Sequence, residues 1–255
     1  MKFQVLMSAM YQTDFSNVEK SNLQCSVLIV NQCDEEGVIS FQNAIMINSS
    51  DRGLSKSRNL AISSAEGELC LLSDDDEIFI DDLENVVAKA YAEISDADVI
   101  VFGADYKSHI CNKPSKLKKL QLLKVSSVQI SFKLSSIKNK LYFDEKLGAG
   151  TGNGAGEETK FLWDCYSKGL KIYYYPVKIL SLREKQSTWF NGYDENYFYN
   201  RGKVTRYIMG RFYSTLYAYY YAFSHRKLYN KQISIFKALK YMIKGIKEGK
   251  LNENS

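Results

Sequence analysis

Apolar residues in this chain cluster in short runs, and the segments between several of those runs have a helical period. FQVLMSA (residues 3–9), SVLIVN (26–31), AIMIN (44–48), ELCLLS (68–73), DVIVFGA (98–104) and KIYYYPV (171–177) each read as a strand. LSKSRNLAISSAEG (54–67) repeats Leu54, Arg58 and Ala61 at helical spacing and closes on Gly67. DDLENVVAKAYAEI (81–94) reads as a helix with acids in its first turn, as the helix dipole favours. ETKFLWDCYSKG (158–169) puts Phe161, Leu162 and Cys165 on one helical face and ends at Gly169. Strands alternating with helices predict βαβ units and a largely parallel sheet.

Past residue 105 the pattern loosens. KPSKLKKLQLLKV (113–125) reads as a short basic helix, and SVQISFKLSS (127–136) as a strand alternating at Val128, Ile130 and Phe132. EKLGAGTGNGAGEE (145–158) is a loop with glycine at every second position from Gly148 to Gly156. From about Tyr193 the chain reads as helical and rich in tyrosine and lysine, and no internal repeat is visible.

Composition narrows the class. With 255 residues, 45% hydrophobic and 25% charged, the chain fits one large α/β domain, or one domain with an appendage. The net charge of +5 is uneven: between Arg201 and Lys250 the only acid is Glu248. Such asymmetry points to an anionic partner at one end. None of the five cysteines forms a C-x-x-C pair, which predicts reduced thiols in a cytoplasmic protein. The only histidines, His109 and His225, leave little support for a histidine zinc site or a Ser-His-Asp hydrolase. MKFQVLMSAMYQTD reads as a first strand and not a signal peptide, and no run reaches the roughly eighteen apolar residues of a membrane span.

Three constellations carry chemistry. LLSDDDEIF (71–79) sets Asp74, Asp75 and Asp76 at the end of an apolar strand, where α/β proteins bind ligands. Hard carboxylate oxygens suit Mg²⁺ or Mn²⁺ shared with substrate phosphates. The alternative is an acidic turn leading into a helix. DRGLSKSRN (51–59) brings Arg52, Lys56 and Arg58 to a helix start, a natural phosphate site or else a solvated basic turn. In GAGEETKF (154–161), Glu157 and Glu158 open a helix after the glycine loop. One of them can serve as a general base; the alternative is an acid-rich helix N-terminus. Neither a P-loop nor a Rossmann fingerprint is present.

In their order and spacing, several segments of residues 2–185 resemble the inverting glycosyltransferases of family 2. They are FQVLMSAMY, VLIVN, the stretch from Asn48 through GLSKSRN, AEGELCLLSDDD and GAGEETKF. The resemblance implies a GT-A fold, that is, an α/β Rossmann-like, mostly parallel sheet flanked by helices. The catalytic domain would cover residues 1–190 and a C-terminal helical extension residues 191–255. It further implies a nucleotide-sugar donor, with Asp74 beside the ribose or the uracil-bearing half and also at the metal. Asp76 would bind Mn²⁺ or Mg²⁺, assisted by Asp75. Arg52, Ser55 and Arg58 would line the nucleotide pocket with Ser8 and Met10, and Glu158 would be the base with Glu157 in support. The chain departs from the family pattern in three places. Glu157-Glu158 replaces the usual Glu-Asp pair. Asn31 stands where an aspartate reads uracil, and would have to read the base through its amide. LSLREKQSTW lacks the histidine that often binds metal after the last strand.

A sugar nucleotidyltransferase is the nearest rival, but SAMYQTDFS offers no glycine- and basic-rich nucleotide loop. A non-catalytic membrane-surface scaffold is the third reading. The partners expected are a saccharide acceptor, lipid-linked in many relatives, and no nucleic acid. The segment from Val204 to Lys250 mixes aromatic with basic residues, which fits either a peripheral contact with an anionic membrane at the inner face of the cell membrane or helix packing and a homodimer interface.

Overall fold

The structure is a computed structural model that describes residues 1–107, 109–153, 156–183, 192–249 and 251. The chain forms two compact units. The first comprises residues 1–144 and 158–185, the second residues 145–157 and 186–255.

The first unit is built on one mixed sheet. Its strands are β1 (Phe3–Met10), β2 (Ser26–Gln32), β3 (Gly37–Phe41), β4 (Ala44–Ser49), β5 (Leu69–Asp74), β6 (Glu77–Phe79), β7 (Val99–Ala104), β8 (Ser115–Lys116), β9 (Ile130–Lys133) and β10 (Ile172–Leu182). The helices are α1 (Ser16–Lys20), α2 (Leu54–Ser64), α3 (Leu83–Glu93), α4 (Leu134–Ile137) and α5 (Glu157–Ser167). The strand order is β3-β4-β2-β1-β5-β9-β7-β10-β6, with β8 also paired to β10. From β4 to β5 all neighbours are parallel, whereas β9 runs antiparallel between β5 and β7.

Successive side chains of a strand face opposite sides. Val5, Met7, Ile29 and Leu71 therefore join one apolar cluster with Val87 and Tyr91 of α3. Leu6, Leu28, Cys70 and Leu72 join another with Ile62 of α2 and Phe161 and Leu162 of α5. Covering both faces explains why these strands read as unbroken apolar runs. This mixed sheet flanked by helices, with helices following it in the chain, is a GT-A-like Rossmannoid fold.

Local details differ from the pattern reading. Residues 113–125 hold the two-residue β8 and a 3₁₀ helix over Lys119–Lys124, not an α-helix. Residues 127–129 form a 3₁₀ turn, so the strand begins only at Ile130. The strand predicted at 171–177 continues to Leu182. β3 is not among the predicted strands although Val38, Ile39 and Phe41 are apolar; all five of its residues are exposed. All five cysteines are free thiols.

The second unit contains α6 (Glu195–Ser224), α7 (Arg226–Tyr229) and α8 (Ile235–Glu248). Asp194 caps α6 by accepting from the Tyr197 N–H at 2.7 Å, and Gly210 (φ 73°, ψ 173°) breaks the helix after Met209. A Cβ on Gly202 would lie 2.2 Å from the Met242 carbonyl oxygen, and one on Gly245 would lie 2.0 Å from that of Tyr199. α6 and α8 therefore touch backbone to backbone, which only glycine permits. Arg201 lies among tyrosines, donating to the Tyr197 and Tyr217 hydroxyls at 3.0 and 2.6 Å, with its guanidinium carbon 3.9 Å from the Tyr221 ring centroid. The expected domain boundary at 190/191 and residues 184–189 of the histidine-free LSLREKQSTW lie outside the described residues. Among the described residues no helix is long and apolar enough to cross a membrane.

Candidate functional site

The carboxyl ends of β1, β2, β4 and β5 lie side by side, with Ser8 in register with Val30 of β2 and Asp74 of β5. Gly53, at φ 122°, turns the chain into α2 and donates its N–H to Gln32 Oε1 at 2.8 Å. That turn starts α2, which packs on one face of the sheet against β1 and β2. Ser57 Oγ donates to Ser8 Oγ at 2.9 Å, and Arg58 is 2% exposed. Arg58 Nη2 donates to Asp74 Oδ1 at 2.9 Å and to Ser127 Oγ at 2.8 Å. Its guanidinium lies 5.4 Å from the Phe143 ring centroid. Ser55 is buried on the same helix.

The acidic turn is clasped from behind. Glu77 is 2% exposed, and its Oε2 accepts the Asp74 N–H at 2.7 Å and the Ser73 hydroxyl at 3.3 Å. Burial first, then the charges of Asp74 and Asp76, push the Glu77 carboxyl well above the usual carboxylate range. Arg183 donates its backbone N–H to the Asp76 carbonyl at 2.8 Å and Nη2 to the Asp75 carbonyl at 3.0 Å. These bonds use main-chain oxygens, so they hold the turn without consuming the aspartate carboxylates. Asp75 is raised by burial and then by Asp76 and Asp74, with Arg183 opposing, and its Oδ2 accepts from Gln12 Nε2 at 3.3 Å.

At the tip of β2, Asn31 is buried. Its Nδ2 donates to the Gln12 carbonyl and to Asn48 Oδ1, both at 2.9 Å, and its Oδ1 accepts the Gln12 N–H at 2.8 Å. Both amide hydrogens are thus used, one on the loop after β1 and one on Asn48 of β4. Met10 is exposed at the end of β1, and the next residue, Tyr11, has φ 50°. Arg52 lies 5.5 Å from the Tyr11 ring centroid, donates to the carbonyls of Cys33 and Ser50 at 2.9 and 2.7 Å, and pairs with Asp34.

The two glutamates at the start of α5 differ. Glu157 is 6% exposed, and its Oε2 accepts the Gly156 N–H at 2.9 Å, so it caps its own helix. Glu158 is half-buried and interacts electrostatically with Lys107, whose ammonium is held below the usual lysine range by burial and raised by Glu158.

The sequence reading did not name Tyr11, Glu77, Tyr106, Lys107, Ser127 or Arg183. Tyr106 follows β7; burial first, and also the charges of Glu77, Asp74 and Asp76, raise its hydroxyl pKa. Glu77 carried a readable signal, as the last of four consecutive acids and the residue just before the apolar Ile78-Phe79-Ile80. The others arrive from distant chain segments and carried none.

Among the described residues no three His, Cys, Asp or Glu side chains gather as a ready cation site. One oxygen of Asp74 is engaged by Arg58. Two carboxylates on one short turn suit a cation that takes its remaining ligands from a bound molecule and water, rather than a cage made wholly by protein.

No protein-family profile and no curated protein matches the chain. Solved structures do share its fold. S. aureus TarS 1-349 in complex with UDP-GlcNAc superposes with a TM-score of 0.60 at 16% identity, covering 91% of this chain and 74% of that one. The same protein in complex with UDP gives 0.58 at 16% identity over 97% and 82%. The mannosyltransferase PcManGT from Pyrobaculum calidifontis, in complex with GDP-Man and Mn²⁺, gives 0.52 at 10% identity over 97% and 74%. The chain spans 64% of another TarS 1-349 structure and 44% of the longer TarS chain.

Proposed function

We propose that this chain is an inverting glycosyltransferase of family 2 type. It moves a sugar from a nucleoside-diphosphate donor, a UDP-sugar first of all, to a hydroxyl of a saccharide acceptor in surface-polysaccharide synthesis. One observation carries the reading: the buried Arg58 is paired with Asp74 at the carboxyl edge of the sheet, beside two further aspartates. The fold, shared with proteins solved with UDP-GlcNAc and GDP-Man, supports the class of donor.

Each residue then has a task. Arg58, held by Asp74 and Ser127, keeps positive charge beside the nucleotide and fixes the Asp74 carboxylate. Tyr11, exposed and backed by Arg52, offers a stacking face for the nucleobase. Asn31 contributes by holding the loop that presents Tyr11. Asp76 and Asp74, with Asp75 in support, would hold Mn²⁺ or Mg²⁺. When bound, that ion supplies charge neutralisation on the departing diphosphate. Glu158 accepts the acceptor hydroxyl proton as that oxygen bonds to the anomeric carbon and the bond to the diphosphate oxygen breaks. Glu157, turned to its own helix N-terminus, supports the position of Glu158.

Incubation with a panel of UDP- and GDP-sugars and Mn²⁺ tests the reading. Release of nucleoside diphosphate from at least one donor is the expected result. Pyrophosphate release in a parallel incubation with nucleoside triphosphates and sugar 1-phosphates would instead indicate a sugar nucleotidyltransferase. No product, with no thermal shift by any nucleoside diphosphate, would leave a binding scaffold.

A further inference from the structure

Residues 211–224, the part of α6 beyond the Gly210 break, form a helix that is apolar on two opposite sides. Ser214, Ala218, Tyr221 and Ala222 are buried on one side. On the other, Phe212, Tyr213, Leu216, Tyr219, Tyr220 and Phe223 are 70%, 53%, 55%, 49%, 55% and 51% exposed. At 100° per residue these six fall within an arc of roughly 120° opposite the buried side. A surface helix ordinarily turns charged and polar residues to water, so a face of this kind is built to be covered.

Charge decides by what. Between residues 196 and 247 the sequence has no Asp or Glu, and Arg211, Arg226 and Lys227 flank the stripe as exposed cations. A second copy docked through the same patch would bring like charges together, because a two-fold interface meets itself. Tyrosines on a face flanked by cations suit the headgroup level of an anionic bilayer. The helix segment is about 21 Å long, too short to span a bilayer core of about 30 Å, so it would lie in the membrane plane.

We propose that the outward face of residues 211–224, flanked by Arg211, Arg226 and Lys227, docks this chain on an anionic phospholipid surface. The inference goes beyond the sugar-transfer reading and does not depend on it.

Co-sedimentation of the full chain with vesicles tests it. The protein should pellet with phosphatidylglycerol-containing vesicles at low salt, pellet at least about tenfold less at high salt, and stay in the supernatant with pure phosphatidylcholine. Phe212→Ser with Phe223→Ser, and separately Arg226→Glu with Lys227→Glu, should each weaken vesicle binding about tenfold or more with an unchanged circular dichroism spectrum. The charge pair serves as the independent check if the aromatic pair fails to fold. Absence of binding to anionic vesicles, or binding unaltered in the folded variants, would overturn the proposal. A dimer in light scattering that the aromatic substitutions convert to monomer, without vesicle binding by the parent, would assign the face to a second copy instead.

Discussion

Arg58 donates to Asp74 across 2.9 Å, with the arginine side chain 2% exposed and the aspartate 32% exposed. A cation so buried stays in place because Asp74 and Ser127 receive it, and the aspartate is oriented in return. Arg58→Ala should cost roughly 2–3 kcal/mol of stability, at the lower end for a buried pair because Asp74 remains partly in water. It should also abolish binding of nucleoside diphosphate. Arg58→Lys should keep more stability than affinity, since the shorter ammonium retains the buried charge but lacks the planar guanidinium and its contact with the Phe143 ring. Chemical denaturation beside calorimetry checks both, and equal affinity in all three proteins would refute the role.

Asp76 tests the cation. Its carbonyl holds Arg183 and Asp76→Asn leaves that bond intact, so the fold should persist. Mn²⁺-enhanced binding of a nucleoside diphosphate should disappear in this variant, while the weaker metal-free binding through Arg58 survives. Titration calorimetry with and without EDTA distinguishes the two, and undiminished Mn²⁺ enhancement would exclude Asp76 as a ligand.

Glu157 and Glu158 should separate by kind of effect. Glu158→Gln is expected to lower turnover by about 10² or more with donor affinity retained. Glu157→Ala removes the group that accepts the Gly156 N–H and should lower stability by about 1 kcal/mol, with a smaller effect on turnover. Single-turnover kinetics and thermal melts report the split. An inactive Glu157 variant beside a normal Glu158 variant would reverse the assignment.

Glu77 gives a pH signature. Its folded pKa is raised, so the folded state binds the proton more tightly than the unfolded chain does. Its contribution to stability is therefore fully present below the unfolded carboxyl value of about 4.3 and is lost as pH rises through the raised folded value. Glu77→Gln can still accept the Asp74 N–H and does not ionise. It should flatten the decline of the melting temperature over that window. A variant with the same pH slope as the parent would place the titration elsewhere.

How legible the site was follows from chain distance. Arg58 and Asp74 were readable because each sits in a local pattern, one at a helix start after glycine and one at the end of an apolar strand. The antiparallel insertion of β9 was not readable, since an apolar alternating run carries no direction. That insertion brings Ser127, through the 3₁₀ turn before β9, to Arg58. Tyr106 and Lys107 follow β7 in a stretch of no periodicity. The tyrosines of the tail were legible as a composition but not as two populations. Tyr217 and Tyr221 surround Arg201, while Tyr213, Tyr219 and Tyr220 point outward.

The clasp on the acidic turn has a consequence for biosynthesis. Glu77 pairs with Leu182 and Phe79 with Leu180, and the Arg183 N–H closes on the Asp76 carbonyl. The partners are about a hundred residues apart, so loop closure over that distance precedes the reward. A ribosome-bound chain can form β1, β2 and β5 and still carry an open acidic turn until residue 183 has left the exit tunnel. Ability to bind nucleotide should therefore emerge late and abruptly during translation, well after the first strands have paired.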